Sequence, residues 1–250
     1  MQGESVALAQ GRASITTDPP NAPPRLPASA WRDLRLRTAS ALVVGPLGLA
    51  VLWFGGTAWQ WLIALLTVGM AAEWWNMCGH RAVPRLLRIA TGASYILPGF
   101  ISIIWLREDA TNGFHRTLFV VFVVWSSDIG AYLAGRLFGG PKLAPRISPG
   151  KTRSGAAGGL LCAMSIGLIA AAITPGGHLI SATLIAGLIG IASQFGDLLE
   201  SALKRYFGVK DSGKTIPGHG GLLDRLDGML LAAPVAAIVL LVSGEGVFWR

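Results

Sequence analysis

Residues 201–228 read SALKRYFGVKDSGKTIPGHGGLLDRLDG. Five cations (Lys204, Arg205, Lys210, Lys214, Arg225) and three aspartates (Asp211, Asp224, Asp227) share this stretch with a Pro-Gly and a His-Gly-Gly. Cationic side chains bind phosphate, carboxylates bind Mg²⁺, and glycine lets backbone approach a ligand closely. The mixture points to a site that handles a nucleotide or another phosphate compound.

Further carboxylates and cations lie upstream. In the run Gln194–Arg205, a helix would put Asp197, Ser201 and Lys204 on one face, at i, i+4 and i+7, with Glu200 beside them. Asp224 and Asp227 are spaced i, i+3 at the start of the last apolar segment. With Asp197 they form a set of oxygen donors able to hold Mg²⁺ while leaving positions for triphosphate oxygens. Gly220 and Gly221 can turn backbone N–H groups toward an anion, and Arg225 would face phosphate. Asp128 sits well inside another apolar run, where a charge costs roughly 2.5 kcal/mol or more; either it faces a site, or it bonds to Ser126, Ser127 or Tyr132. Lys151 and Thr152, in the loop that follows, can bind phosphate. Gly150-Lys151-Thr152 is not a P-loop, because Pro145 holds the leading glycine position.

These residues need a scaffold, and composition says which kind. Of 250 residues, 52% are hydrophobic and only 14% charged, against about 25% charged in soluble domains. Seven apolar segments, near 38–54, 59–78, 87–106, 117–134, 155–174, 179–195 and 229–248, are each long enough to cross about 30 Å of hydrocarbon as helix. The expected fold is an all-α polytopic membrane protein with about seven transmembrane helices, within a range of six to nine. Residues 1–28 are polar, Pro-rich and aperiodic, and read as a disordered cytoplasmic tail; residues 29–250 form the membrane domain. With the N-terminus inside, 18 of the 21 Lys and Arg residues fall on the cytoplasmic side, as the positive-inside rule requires. That alternation brings the loops near 135–154 and 196–228 to one face, so they can share a site. The expected location is the cell (inner) membrane, multi-pass, with the active site on the cytoplasmic face. The net charge of +8 is confined to loops and does not suggest nucleic acid. Cys78 and Cys162 lie apart in apolar segments and read as packing residues.

From Ser201 to Asp227 the chain resembles the signature of the phosphatidate cytidylyltransferases. The matching positions are Ser201, Lys204, Arg205, Lys210, Asp211, Gly213, Pro217, Gly218, His219, Gly220, Gly221, Asp224, Arg225 and Asp227. Gly196-Asp197, the run Trp125–Tyr132, Gly135-Arg136, Phe138-Gly139 and Ser148-Pro149-Gly150-Lys151-Thr152 also fit, and Glu73-Trp74 is a weaker match. The likeness covers roughly residues 70 to 230. It departs at Ser154, where the family usually has Glu. The resemblance implies that CTP and phosphatidate, a lipid held in the bilayer, react to give CDP-diacylglycerol and pyrophosphate with Mg²⁺ as cofactor. It makes Asp197, Asp224, Lys204 and Arg225 the catalytic residues, with Asp197 and Asp224 the leading metal ligands and Asp128 and Asp227 next. Ser148, Lys151, Thr152, Ser201, Arg205, Lys210, His219, Gly220 and Gly221 would contact substrate. A second metal, a monovalent ion and a homodimer are left open. A transporter for anionic lipid or nucleotide would not need aspartates among its cations, and a membrane lipid kinase is the rival enzyme. The pattern of CDP-alcohol phosphatidyltransferases is absent.

Overall fold

The computed structural model describes residues 43–213, 215, 220–244 and 248–249. The tail 1–28, Lys214, Pro217, Gly218 and His219 lie outside the described residues. Among the described residues seven helices follow in order: α1 Val43–Phe54, α2 Gly56–Cys78, α3 Arg85–Glu108, α4 Gly113–Phe138, α5 Arg153–Ala172, α6 Leu179–Phe207 and α7 Leu223–Ser243. Each coincides with one apolar segment expected from the sequence. Five of them, α3 to α7, are long and apolar enough to cross a membrane. The described part of α1 is shorter, and α2, which carries Gln60, Glu73 and Asn76 among its 23 residues, is not one of those five.

One element is new. Between α4 and α5, β1 (Lys142–Ala144) and β2 (Ser148–Thr152) pair antiparallel, with Lys142 opposite Thr152 and Ala144 opposite Ser148. The loop near 135–154 is therefore a short hairpin, which fixes where Lys151 can point. Its base is tied twice. Thr152 caps α5 by accepting the Gly155 N–H at 3.0 Å. The Ser154 hydroxyl donates to the Gly139 carbonyl at the end of α4 and lies 3.1 Å from Thr152 Oγ1. The residue that departs from the family pattern thus closes the hairpin onto α4.

Glycine sets the helix spacing at the site. A β-carbon at Gly130 on α4 would meet Cys162 Sγ at 2.5 Å and the Gly158 carbonyl at 2.8 Å. One at Gly196 on α6 would collide with the Asp227 carbonyl, and one at Gly228 on α7 would stand 2.6 Å from Ser193 Oγ. Small residues let membrane helices pack backbone to backbone. Here they draw α4 against α5 and α6 against α7, so that Asp197 and Asp227, each beside one of those glycines, face across a narrow seam. At the far end of the bundle, Arg107 of α3 donates to the last carbonyls of α1, at 2.9 Å to Leu52 and 3.2 Å to Trp53.

Candidate active site

The charged residues separate into two groups along the α6–α7 seam. The first opens on a cavity of about 620 Å³ whose lining includes Asp128, Gly135, Arg136, Lys151, Gln194 and Asp197. Lys151 forms an ion pair with Asp197, and both remain partly exposed, at 27% and 35%. Asp128 comes from α4. Ser126, Ser127 and Tyr132 bond elsewhere: Ser126 Oγ donates to the Val123 carbonyl at 3.0 Å, Ser127 Oγ accepts from Gln194 at 3.4 Å, and the Tyr132 hydroxyl accepts from Arg136 at 2.8 Å. Asp128 is therefore a cavity-facing carboxylate. Asp227 lies within electrostatic reach of Asp197, Asp128 and Lys151.

The second group is closed. Lys204 Nζ sits 2.5 Å from Glu200 Oε2 and 2.6 Å from Asp224 Oδ1. Asp224 Oδ2 accepts the backbone N–H groups of Ser212 and Gly221, each at 3.1 Å. Glu200 is 1% exposed, and its Oε1 has no hydrogen-bond partner among the described residues. One helical turn rises about 5.4 Å, so Asp197, Glu200 and Lys204 climb the seam in steps, with Asp227 level with the first and Asp224 with the last.

Behind both groups stands Glu73, which the sequence marked only weakly. It is 4% exposed on α2 and gathers four donors from the loop that leads into α7. The Leu222 and Leu223 N–H groups donate at 2.9 Å each, Ser212 Oγ at 3.2 Å, and Thr215 Oγ1 completes the set. The first N–H groups of a helix have no partner within it and favour an anion. For α7 that anion is Glu73. Gly213 and Gly221 allow the fold: a β-carbon at Gly213 would stand 2.6 Å from Glu73 Oε1, and one at Gly221 would stand 2.7 Å from Oε2. The Gly221 N–H, expected to meet a ligand anion, is directed to Asp224 instead. The signal for Glu73 was the price of burying a carboxylate in an apolar helix; its partners, 139 to 150 residues away, gave none.

Of the other expected residues, Ser148 begins β2 and Thr152 ends it, the latter both capping α5 and lining the cavity. Ser201 is half-buried on α6. Arg205 is exposed and donates to the Ile147 carbonyl at 3.3 Å, linking α6 to the hairpin. Lys210 and Arg225 are exposed, and Gly220 takes a left-handed φ of 86° in the turn before α7. His219 lies outside the described residues. No three acidic, His or Cys side chains converge as a ready metal site among the described residues. Mg²⁺, however, is commonly held by only one or two carboxylates, with waters and substrate phosphates filling the rest. The cavity wall, with Asp128 and Asp197 on it and Asp227 nearby, fits such an ion.

A bundle of helices apolar enough to cross a membrane, with a cavity holding both cations and carboxylates at one end of a glycine-packed seam, is the architecture of a membrane protein. The comparisons make the class specific. Residues 84–243 match the cytidylyltransferase family, and the chain belongs to that family. A phosphatidate cytidylyltransferase of Brucella suis is 38% identical, covering 80% of this chain and 91% of its own length. One from Rickettsia felis is 38% identical over 82% and 91% of the two chains, and one from Staphylococcus saprophyticus 34% over 80% and 78%.

Proposed function

We propose that this chain transfers the cytidylyl group of CTP to phosphatidate, giving CDP-diacylglycerol and pyrophosphate. The observation that carries the reading is the convergence of Lys151, Asp197 and Asp128, from three separate elements, on one cavity; membership of the cytidylyltransferase family supports it.

A phosphate oxygen of the lipid attacks the α-phosphorus of CTP. A new P–O bond forms, the bond from the α-phosphorus to the bridging oxygen breaks, and pyrophosphate leaves with that electron pair. The nucleophile is already an anion, so no base is required. Catalysis then consists of bringing polyanions together and offsetting their charge. Lys151, Arg205, Lys210 and Arg225 supply the positive charge, Lys151 from the hairpin and the others from α6, α7 and the segment between them, while Lys204 joins Glu200 to Asp224 and holds that end of the seam together. Asp197, with Asp128 and Asp227 beside it, would hold Mg²⁺, which when bound neutralises charge on the phosphate oxygens, while Asp224, whose oxygens are taken by Lys204 and two backbone N–H groups, frames the site. Ser148, Thr152, Ser201, His219 and the Gly220-Gly221 turn shape the substrate-binding surface. The site lies at the cytoplasmic face of the cell membrane. CTP arrives from water there, and phosphatidate enters sideways with its chains still in lipid.

The test is purified protein in detergent with Mg²⁺, phosphatidate and labelled CTP. Pyrophosphate and CDP-diacylglycerol should appear together. Release of CDP instead would identify a lipid kinase, and no turnover beside an active relative would reject the enzymatic reading.

A further inference from the structure

A second cavity of about 220 Å³ lies among α1, α2, α3, α4 and α7, with an almost wholly apolar lining that includes Gly48, Trp59, Leu66, Trp125 and Leu226. It abuts the candidate active site through two helices. On α4, Trp125 faces this groove and Asp128, three residues on, faces the polar cavity. On α7, Leu226 lines the groove directly beside Asp227. Depth along α2 can be read from Glu73, which marks the level of the α7 start. At 1.5 Å per residue, Leu66 lies about 10 Å and Trp59 about 20 Å further along the helix. One leaflet of a bilayer is about 15 Å of hydrocarbon. The groove therefore covers the depth reached by the distal part of an acyl chain whose phosphate sits at the carboxylates.

Its floor is bare where packing does not demand it. A β-carbon at Gly99 would press within 2.8 Å of the Leu230 backbone, so Gly99 serves helix contact. Among the described residues, a β-carbon at Gly45 or Gly48 on α1 would meet nothing within 4 Å. Those two glycines leave space rather than close it. We propose that this groove receives the distal part of one acyl chain of the glycerophospholipid substrate, and that Gly48 sets the chain length accepted. The proposal rests on cytidylyl transfer to a diacyl glycerophosphate, and adds to it a specificity-determining residue remote from the phosphates.

Turnover is measured on dioctanoyl- and dipalmitoyl-phosphatidate in mixed micelles. A side chain grown into an apolar pocket discriminates by about tenfold or more, so Gly48→Leu should lower the dipalmitoyl-to-dioctanoyl ratio by about tenfold while dioctanoyl turnover persists. Val242→Leu, on the outward face of α7 at 82% exposure, should leave the ratio unchanged. An unchanged ratio in Gly48→Leu overturns the groove assignment. Wild-type protein inactive on both lipids would instead refute the reaction itself. Should Gly48→Leu not fold, wild-type protein is irradiated with phosphatidate carrying a photoreactive chain end. Adducts should map to residues 59–66 of α2 or to α1, and adducts confined to outward helix faces overturn the proposal.

Discussion

The two charged groups along the α6–α7 seam are built from the same residue types and behave oppositely. Around Asp197 one lysine meets one aspartate at the wall of an open cavity, both ends partly exposed, with the carboxyl groups of Asp128 and Asp227 nearby. Around Asp224 the chain satisfies itself: Lys204 joins two carboxylates, backbone N–H groups take the remaining oxygen of Asp224, and Glu73 closes the loop from below. Uncompensated charge beside empty volume is poised for a ligand. Charge with internal partners fixes geometry. A short motif rich in Asp, Lys and Gly can therefore hold a binding half and a framing half, and only the partners of each atom tell them apart.

Substitutions test that division. Asp197→Ala removes a cavity carboxylate with few internal partners. It should cut cytidylyl transfer by about 10³-fold while thermal unfolding in detergent barely moves. Asp224→Ala should also abolish turnover, but with a clear fall in Tm; equal thermal stability of the two variants would break the contrast. Glu73→Ala leaves two helix N–H groups and two hydroxyls without their acceptor. Hydrogen bonds to charged groups are worth about 1.5–3 kcal/mol, so destabilisation of about 3 kcal/mol is expected, with faster proteolysis in 208–222. Glu73→Gln should fall between. Native proteolysis and Tm in Glu73→Ala would remove its framing role. Lys204→Met strands Glu200 and Asp224, and breaking a buried pair costs about 3 kcal/mol; unfolding in denaturant would show it, and restored stability in Lys204→Met with Glu200→Gln would assign the loss to the stranded charge.

The smallest effect belongs to a carboxylate remote from the seam. Asp109, between α3 and α4, is held below the usual carboxylate range chiefly by the backbone N–H of Asn112, with Thr111 and Arg116 assisting. Its stabilisation is present above the unfolded-state pKa and is lost as pH falls through the lowered folded value. Asp109→Ala should cost about 0.5 kcal/mol at neutral pH, and the gap to wild type should close in acid. A gap that persists in acid would mean that its charge plays no part.

The helices and the residues of the open half were legible in the sequence because both rest on strong local signals. Long apolar runs fix the seven helices, and a charge such as Asp128 within one stands out against its cost. The hairpin was not legible. Its strands are three and five residues long, and Ser148-Pro149-Gly150-Lys151-Thr152 carries neither alternation nor strand-forming residues. The duty of Glu73 was hidden for another reason: it depends on donors more than a hundred residues away, which no periodicity reports. Gly221 was read for its freedom to expose an N–H, and only the folded loop shows that N–H turned inward to Asp224.

The clasp of Glu73 on the start of α7 also bears on how the protein is made. Leu222 and Leu223 follow Glu73 by 149 and 150 residues. At about 5–20 residues per second of synthesis, Glu73 leaves the ribosome about 7–30 s before its partners exist. Through that interval α2 carries an unanswered carboxylate, a reason for it to linger beside the insertion machinery rather than move into lipid alone. Arrival of the last helix would release it, so completion of the chain and assembly of the site become one event.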